Sequence, residues 1–110
     1  MSFPLEVRVV APDEAFLSTA HGRETAYVAV HVYRGTEFES YFRGVEAIMD
    51  EYGGRPHWGK RHYQNAATLR DRYPEWDRFQ AVRERLDPEG VFQNDYTERV
   101  LGPVRARAAV

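Results

Sequence analysis

The 110-residue sequence contains no cysteine. Disulfides, thiolate nucleophiles and zinc–thiolate centres are therefore excluded together, and a cytoplasmic protein is expected. No apolar run is long enough to span a bilayer, and the first residues lack a leader pattern, so no membrane span is expected. Charge of one sign is missing too. Fifteen Lys and Arg stand against 17 Asp and Glu, for a net charge of −2. With both signs interspersed, the basic footprint of a nucleic-acid partner is absent. There is no Gly-x-Gly-x-x-Gly, no P-loop and no Gly-x-Ser-x-Gly, so nothing in the chain cradles a dinucleotide unaided.

What is present suffices for a folded core. Hydrophobic residues make up 43% and aromatics 14%, which predicts one domain covering residues 1–110. Residues 3–12 alternate: Leu5, Val7 and Val9 on one side, Glu6 and Arg8 on the other. This predicts a strand with one buried face, stopped at Pro12. An irregular connection follows to about Gly22. A second strand is predicted over residues 24–34, with Val28, Val30 and Val32 facing one way and Tyr27, Ala29, His31 and Tyr33 the other. Residues 35–54 predict the firmest helix, opened by a Thr36/Glu39 capping box and closed by Gly53–Gly54. Further helices are predicted from Asn65 to the residue before Pro74, over residues 75–87, and as a short helix or turn after residue 92. Between the last two, Asp87-Pro88-Glu89-Gly90 reads as a type I turn. The segment Arg55-Pro56-His57-Trp58 reads as a short edge strand, and residues 105–110 as a loose tail. Trp76, Phe79, Phe92 and Tyr96 read as core.

The resulting class is α+β, a small antiparallel sheet with helices packed on one face. The helices would rest on the valine face, leaving Glu6, Arg8, Tyr27, His31 and Tyr33 on the other. Alone, Glu6 and Arg8 amount to a weak surface pair worth about 0 to 1 kcal/mol. With His31 on the neighbouring strand, a carboxylate, a guanidinium and an imidazole converge, a set suited to a polyhydroxylated ligand. His57, Lys60 and His62 follow closely in the Arg-Pro-His-Trp-Gly-Lys cluster, residues 55–60. Two histidines five apart with no third carboxylate are poor zinc spacing, so no metal site is expected. Lys60, flanked by Trp58, is expected in a partly dry pocket where an ammonium polarises a hydroxyl or steadies an anion.

His57-Trp58-Gly59-Lys60, then Tyr73-Pro74, then Asp87-Pro88-Glu89-Gly90-Val91-Phe92-Gln93-Asn94, in that order, resemble the C-terminal end of one flavoprotein family. These are the FAD-linked sugar-alcohol and aldonolactone oxidases of the vanillyl-alcohol-oxidase type. Upstream, Leu5-Glu6-Val7-Arg8 resembles the Glu-x-Arg strand of alditol (xylitol) oxidases, and Ala29-Val30-His31 the strand supplying their active-site histidine. The resemblance runs from Leu5 to about Gly102 and extends to D-arabinono-1,4-lactone oxidases. It implies that Glu6, Arg8, Tyr33 and Lys60 bind substrate, and that Lys60 and His31 act at the reacting carbon. It also implies that Arg8, His31 and His57 border the flavin. Tyr33 departs from the small hydroxyl residue of alditol oxidases, which puts the fitting polyol in question.

The family's FAD-binding domain, with its Gly-rich pyrophosphate loop, has no counterpart in these 110 residues. The expectation is therefore a C-terminal, substrate-binding part of an oxidase cap domain. It is partnered by an FAD-binding domain or subunit, inactive alone, and not binding FAD by itself. In the assembled enzyme, a polyol or sugar-lactone hydroxyl would be oxidised with oxygen as acceptor. The alternative is a non-catalytic interaction or sugar-binding domain that associates with a partner or as a homodimer.

Overall fold

The computed structural model describes residues 4–104; the predicted tail at 105–110 and the first residue of the predicted first strand lie outside them. Strand β1 is Glu6–Val10 and strand β2 is Thr25–Ala29. Helix α1 is Glu39–Asp50 and α2 is Ala66–Leu69, which continues into a 3-10 turn at Arg70–Arg72. Helix α3 is Trp76–Leu86 and α4 is Asp95–Leu101. A two-stranded antiparallel sheet with four α-helices is the α+β class that the patterning predicts. The chain forms two compact units, one ending at Tyr63 and the other starting at Gln64.

In the first unit, β1 and β2 pair with Val7 opposite Val28 and Arg8 opposite Tyr27. Opposed residues of an antiparallel pair share a face, so the predicted division into a valine face and a polar face holds. The predicted burial does not. Val7 is 64% exposed and Val9 85%, and the valine side expected beneath the helices stands open. The physical reason lies in the ribbon itself: two strands bury apolar surface only where a third layer covers them.

Three boundaries also differ. The ladder stops at Ala29, so Val30 to Arg34 continue outside the strand. Helix α1 starts at Glu39, two residues later than a Thr36 cap would start it. The Glu37 carboxylate accepts the amides of Glu39 and Ser40 at 2.8 and 3.3 Å, doing what Thr36 was expected to do. Arg55 to Trp58 forms no strand. The far end of α1 is as predicted: Gly53 has φ 64°, and Gly54 N–H donates to the Met49 carbonyl at 2.9 Å, a left-handed stop that glycine makes without strain.

The second unit is built on Leu69, Tyr73, Trp76, Val100 and Val104, all buried. Asn65 and Asn94 open α2 and α4 with reciprocal caps, each side chain accepting the amide three residues on. The last carbonyls of α4 are satisfied from α3 and its surroundings. Gln80 Nε2 donates to Leu101 O at 2.6 Å and Arg83 Nη1 to Gly102 O at 2.8 Å. Trp76 is core as expected, but Phe92 is 81% exposed and Tyr96 lies at the surface. The turn at Asp87–Gly90 explains Phe92. Asp87 accepts the amides of Val91 and Phe92 at 2.7 and 3.0 Å, which fixes the backbone and sends the ring outward.

Gly90 has φ 68°, and a Cβ there would lie 2.9 Å from Gln93 Cδ. Gln93 cannot simply swing away, because its Oε1 holds the Val104 amide at 2.6 Å. Gly90→Ala is therefore expected to destabilise the chain by about 1–3 kcal/mol. Urea unfolding monitored by tryptophan fluorescence checks this, and an unchanged midpoint would contradict it.

Candidate functional site

The polar side of the ribbon gathers three titratable groups. The Glu6 carboxylate accepts from Arg8 Nε at 2.8 Å and also from Arg8 Nη2. Its second oxygen, Oε2, lies 3.5 Å from Nε2 of His31. β1 sets Glu6 and Arg8 on one side by its two-residue period. His31 reaches Glu6 from the extended chain just past Ala29, because Ala29 is Glu6's partner in the ladder. The cluster is open to solvent: the side chains of Arg8, Glu6 and His31 are 73%, 43% and 48% exposed.

Hydrogen bonding from Arg8, then its charge, then the smaller influence of His31, hold the Glu6 carboxyl below the usual carboxylate range. Glu6 is thus an anion throughout the neutral range. It is an acceptor for hydroxyl hydrogens, while Arg8 and His31 supply donors beside it. Tyr27, across from Arg8, is held by its hydroxyl against Thr19 in the β1–β2 connection.

The Arg55–Lys60 cluster is a braced turn. Arg55 Nη1 donates to the carbonyls of Thr19 and His21 at 3.3 and 2.9 Å. Trp58 Nε1 donates to Leu17 O at 2.8 Å. Both struts therefore grip the β1–β2 connection, a long-range tie that the sequence does not reveal. Between them, the His57 carbonyl accepts the Lys60 amide at 3.1 Å, and His57 Nδ1 accepts the Gly59 amide at 3.0 Å. This fixes the neutral tautomer of His57 as the one protonated at Nε2. Lys60 itself is exposed rather than in a partly dry pocket, and its ammonium makes no hydrogen bond or ion pair among the described residues. His62, in contrast, is buried.

The structure thus brings Glu6, Arg8 and His31 into contact. Tyr33 lies with His31 on an open depression of about 780 Å³ formed largely by residues 30–42. Lys60 and His57 sit on the separate braced turn. Arg61 was not singled out from the sequence. It also lines the depression, its guanidinium carbon 4.4 Å from the Phe38 ring centroid. Among the described residues no cluster of three or more His, Asp or Glu could hold a metal ion, and no helix is long and apolar enough to cross a membrane.

Comparison with known proteins adds an independent line. A family profile described as D-arabinono-1,4-lactone oxidase matches residues 1–100. An L-gulono-1,4-lactone dehydrogenase of Mycobacterium tuberculosis is 75% identical over 101 residues, covering 92% of this chain and 24% of that protein. An alditol oxidase of Streptomyces sp. is 42% identical over 99 residues, covering 87% of this chain and 23% of that protein. The L-gulonolactone oxidase of Bos taurus is 39% identical over 103 residues, covering 90% and 23%. The chain spans about a quarter of the length of the curated relatives it matches.

The lowered Glu6 titration has a signed consequence. A carboxyl whose folded-state pKa is depressed contributes stability above the ordinary glutamate range and loses it as pH falls through the lowered folded value. Carbon-detected NMR titration is expected to place the Glu6 midpoint below that of an unpaired glutamate, and Arg8→Gln to move it back upward. A midpoint indifferent to Arg8→Gln would contradict the assignment.

Proposed function

The chain belongs to the D-arabinono-1,4-lactone oxidase family, and on that premise we propose that it is the C-terminal, substrate-binding part of an FAD-dependent oxidoreductase acting on a polyol or sugar-lactone hydroxyl. The observation that carries the reading is the Glu6–Arg8–His31 cluster, an open set of one acceptor and two donors at the end of the ribbon.

FAD, when bound, supplies the hydride acceptor. The donor set fits one edge of it only. Arg8, exposed on the ribbon, offers guanidinium N–H groups of the kind that suit ring carbonyls and nitrogens. No Gly-rich phosphate loop occurs in the sequence. The phosphates are thus left to a separate FAD-binding domain or subunit.

Within this division of labour, the residues of the chain bind and orient. Glu6 Oε2 faces His31 and accepts a substrate hydroxyl hydrogen there, while Arg8 donates to a neighbouring oxygen. His31, with Nε2 beside the Glu6 carboxylate, steadies the substrate hydroxyl or, as the other candidate to Lys60, takes its proton as the hydride leaves. Lys60, presented by the braced turn, takes up or steadies the proton of the reacting hydroxyl. Its exposed ammonium needs cover from solvent to serve as a base, which a docked partner domain provides. Tyr33, 58% exposed beside His31, limits the bulk of the polyol that fits.

In a full-length enzyme carrying this segment, Lys60→Ala is expected to slow single-turnover flavin reduction about 100-fold or more while FAD content stays unchanged. Reduction at the parental rate would remove Lys60 from the mechanism. FAD added to the 110-residue chain alone is expected to remain unbound in equilibrium dialysis; stoichiometric binding would contradict the division of labour.

A further inference from the structure

We propose that the depression beside His31 is a carboxylate-recognising subsite for a sugar acid, with Arg61 as its anchor and Arg34 as a second cation. The proposal rests on the reading of Glu6, Arg8 and His31 as a hydroxyl-binding cluster, and it extends that cluster toward the charged end of an acyclic ligand.

The first observation is size and place. The depression has a volume of about 780 Å³, within the range that small-molecule sites occupy. His31 belongs both to its wall and to the Glu6 cluster, so one ligand can touch both.

The second observation is charge. Two carboxylates and two guanidiniums line the depression, but the carboxylates are already engaged. Glu37 accepts the first amides of α1 at 2.8 and 3.3 Å. Glu39 is held by Arg43 at 3.0 and 3.1 Å. Neither Arg34 nor Arg61 has a carboxylate partner among the described residues. The amides leave Glu37 an anion, but with Arg43 counted three guanidiniums stand against two carboxylates, so the net charge there is positive.

The third observation is the contact that Arg61 already makes. The Arg61 guanidinium lies over the Phe38 ring, and Phe38 packs against Phe42 with ring centroids 5.2 Å apart. A guanidinium resting on a ring uses its face there and keeps its N–H edge for a second partner. That planar fork matches a carboxylate, which takes two parallel N–H bonds. Sugar lactones open by hydrolysis to acids that carry both groups, a row of hydroxyls and one carboxylate. The site is suited to that open, anionic form, which would compete with or accompany the neutral lactone.

NMR titration of the 110-residue chain with sodium D-gluconate, xylitol and inorganic phosphate, at constant ionic strength, tests this. Gluconate is expected to shift the amides of His31, Phe38 and Arg61. Arg61→Gln is expected to weaken gluconate roughly ten-fold and leave xylitol unchanged, with Arg61→Lys intermediate because it keeps the charge but not the fork. Arg61 is exposed, and an unaltered spectrum outside the depression verifies that each variant is folded. Unchanged gluconate affinity in Arg61→Gln would overturn the proposal. Inorganic phosphate binding as tightly as gluconate would also overturn it, since a mere cationic patch behaves so. Gluconate binding that depends on Arg61 while xylitol fails to bind, and Glu6→Gln changes nothing, would support the subsite and overturn the hydroxyl-binding reading instead.

Discussion

The antiparallel ladder between Glu6–Val10 and Thr25–Ala29 determines which side chains meet. Glu6 stands opposite Ala29, so the chain leaving the ladder carries His31 back over Glu6 Oε2. A slip of one residue would turn Glu6 and Arg8 to the valine side and dissolve the cluster. The cluster depends on register before it depends on any single charged group. The same register also governs electrostatics: the anionic state of Glu6 follows from Arg8 lying two positions along the same strand.

The ribbon's two faces differ in kind. One holds the polar cluster. The other exposes Val7 and Val9, surface that water solvates at a cost of roughly 25 cal/mol per Å². A chain matching about a quarter of the length of its relatives can carry such a face when other parts of a larger protein cover it. The cluster on the other face is open to solvent as well.

Much of this was legible in the sequence because it is local. Strand alternation placed Glu6 and Arg8 together, and Asn65, Gly53 and the Asp87–Gly90 turn marked their elements through bonds spanning three to five residues. What could not be read is non-local. The grip of Arg55 on the carbonyls of Thr19 and His21 closes a loop of more than thirty residues, and no spacing rule signals it. The early end of β2 was hidden because Val30 and Val32 continue the alternation beyond the last residue paired with β1. The outward Phe92 was masked by its apolar character; only the Asp87 carboxylate bonds to the backbone reveal its direction. Arg61 escaped notice because its partner Phe38 lies 23 positions upstream.

The Arg-Pro-His-Trp-Gly-Lys cluster accordingly divides into scaffold and payload. Arg55 and Trp58 are struts, His57 stiffens the turn, and Lys60 is left free at its tip. The central claim is that this lysine and the ribbon cluster act on one ligand. A crystal structure of the full-length protein carrying this segment, with FAD and a bound polyol or lactone, tests it most directly. The account predicts substrate hydroxyls within about 3.2 Å of Glu6 and Arg8, and the Lys60 ammonium within the same distance of the reacting hydroxyl. A ligand seated away from the ribbon, or Lys60 turned to solvent with the ligand in place, would contradict it.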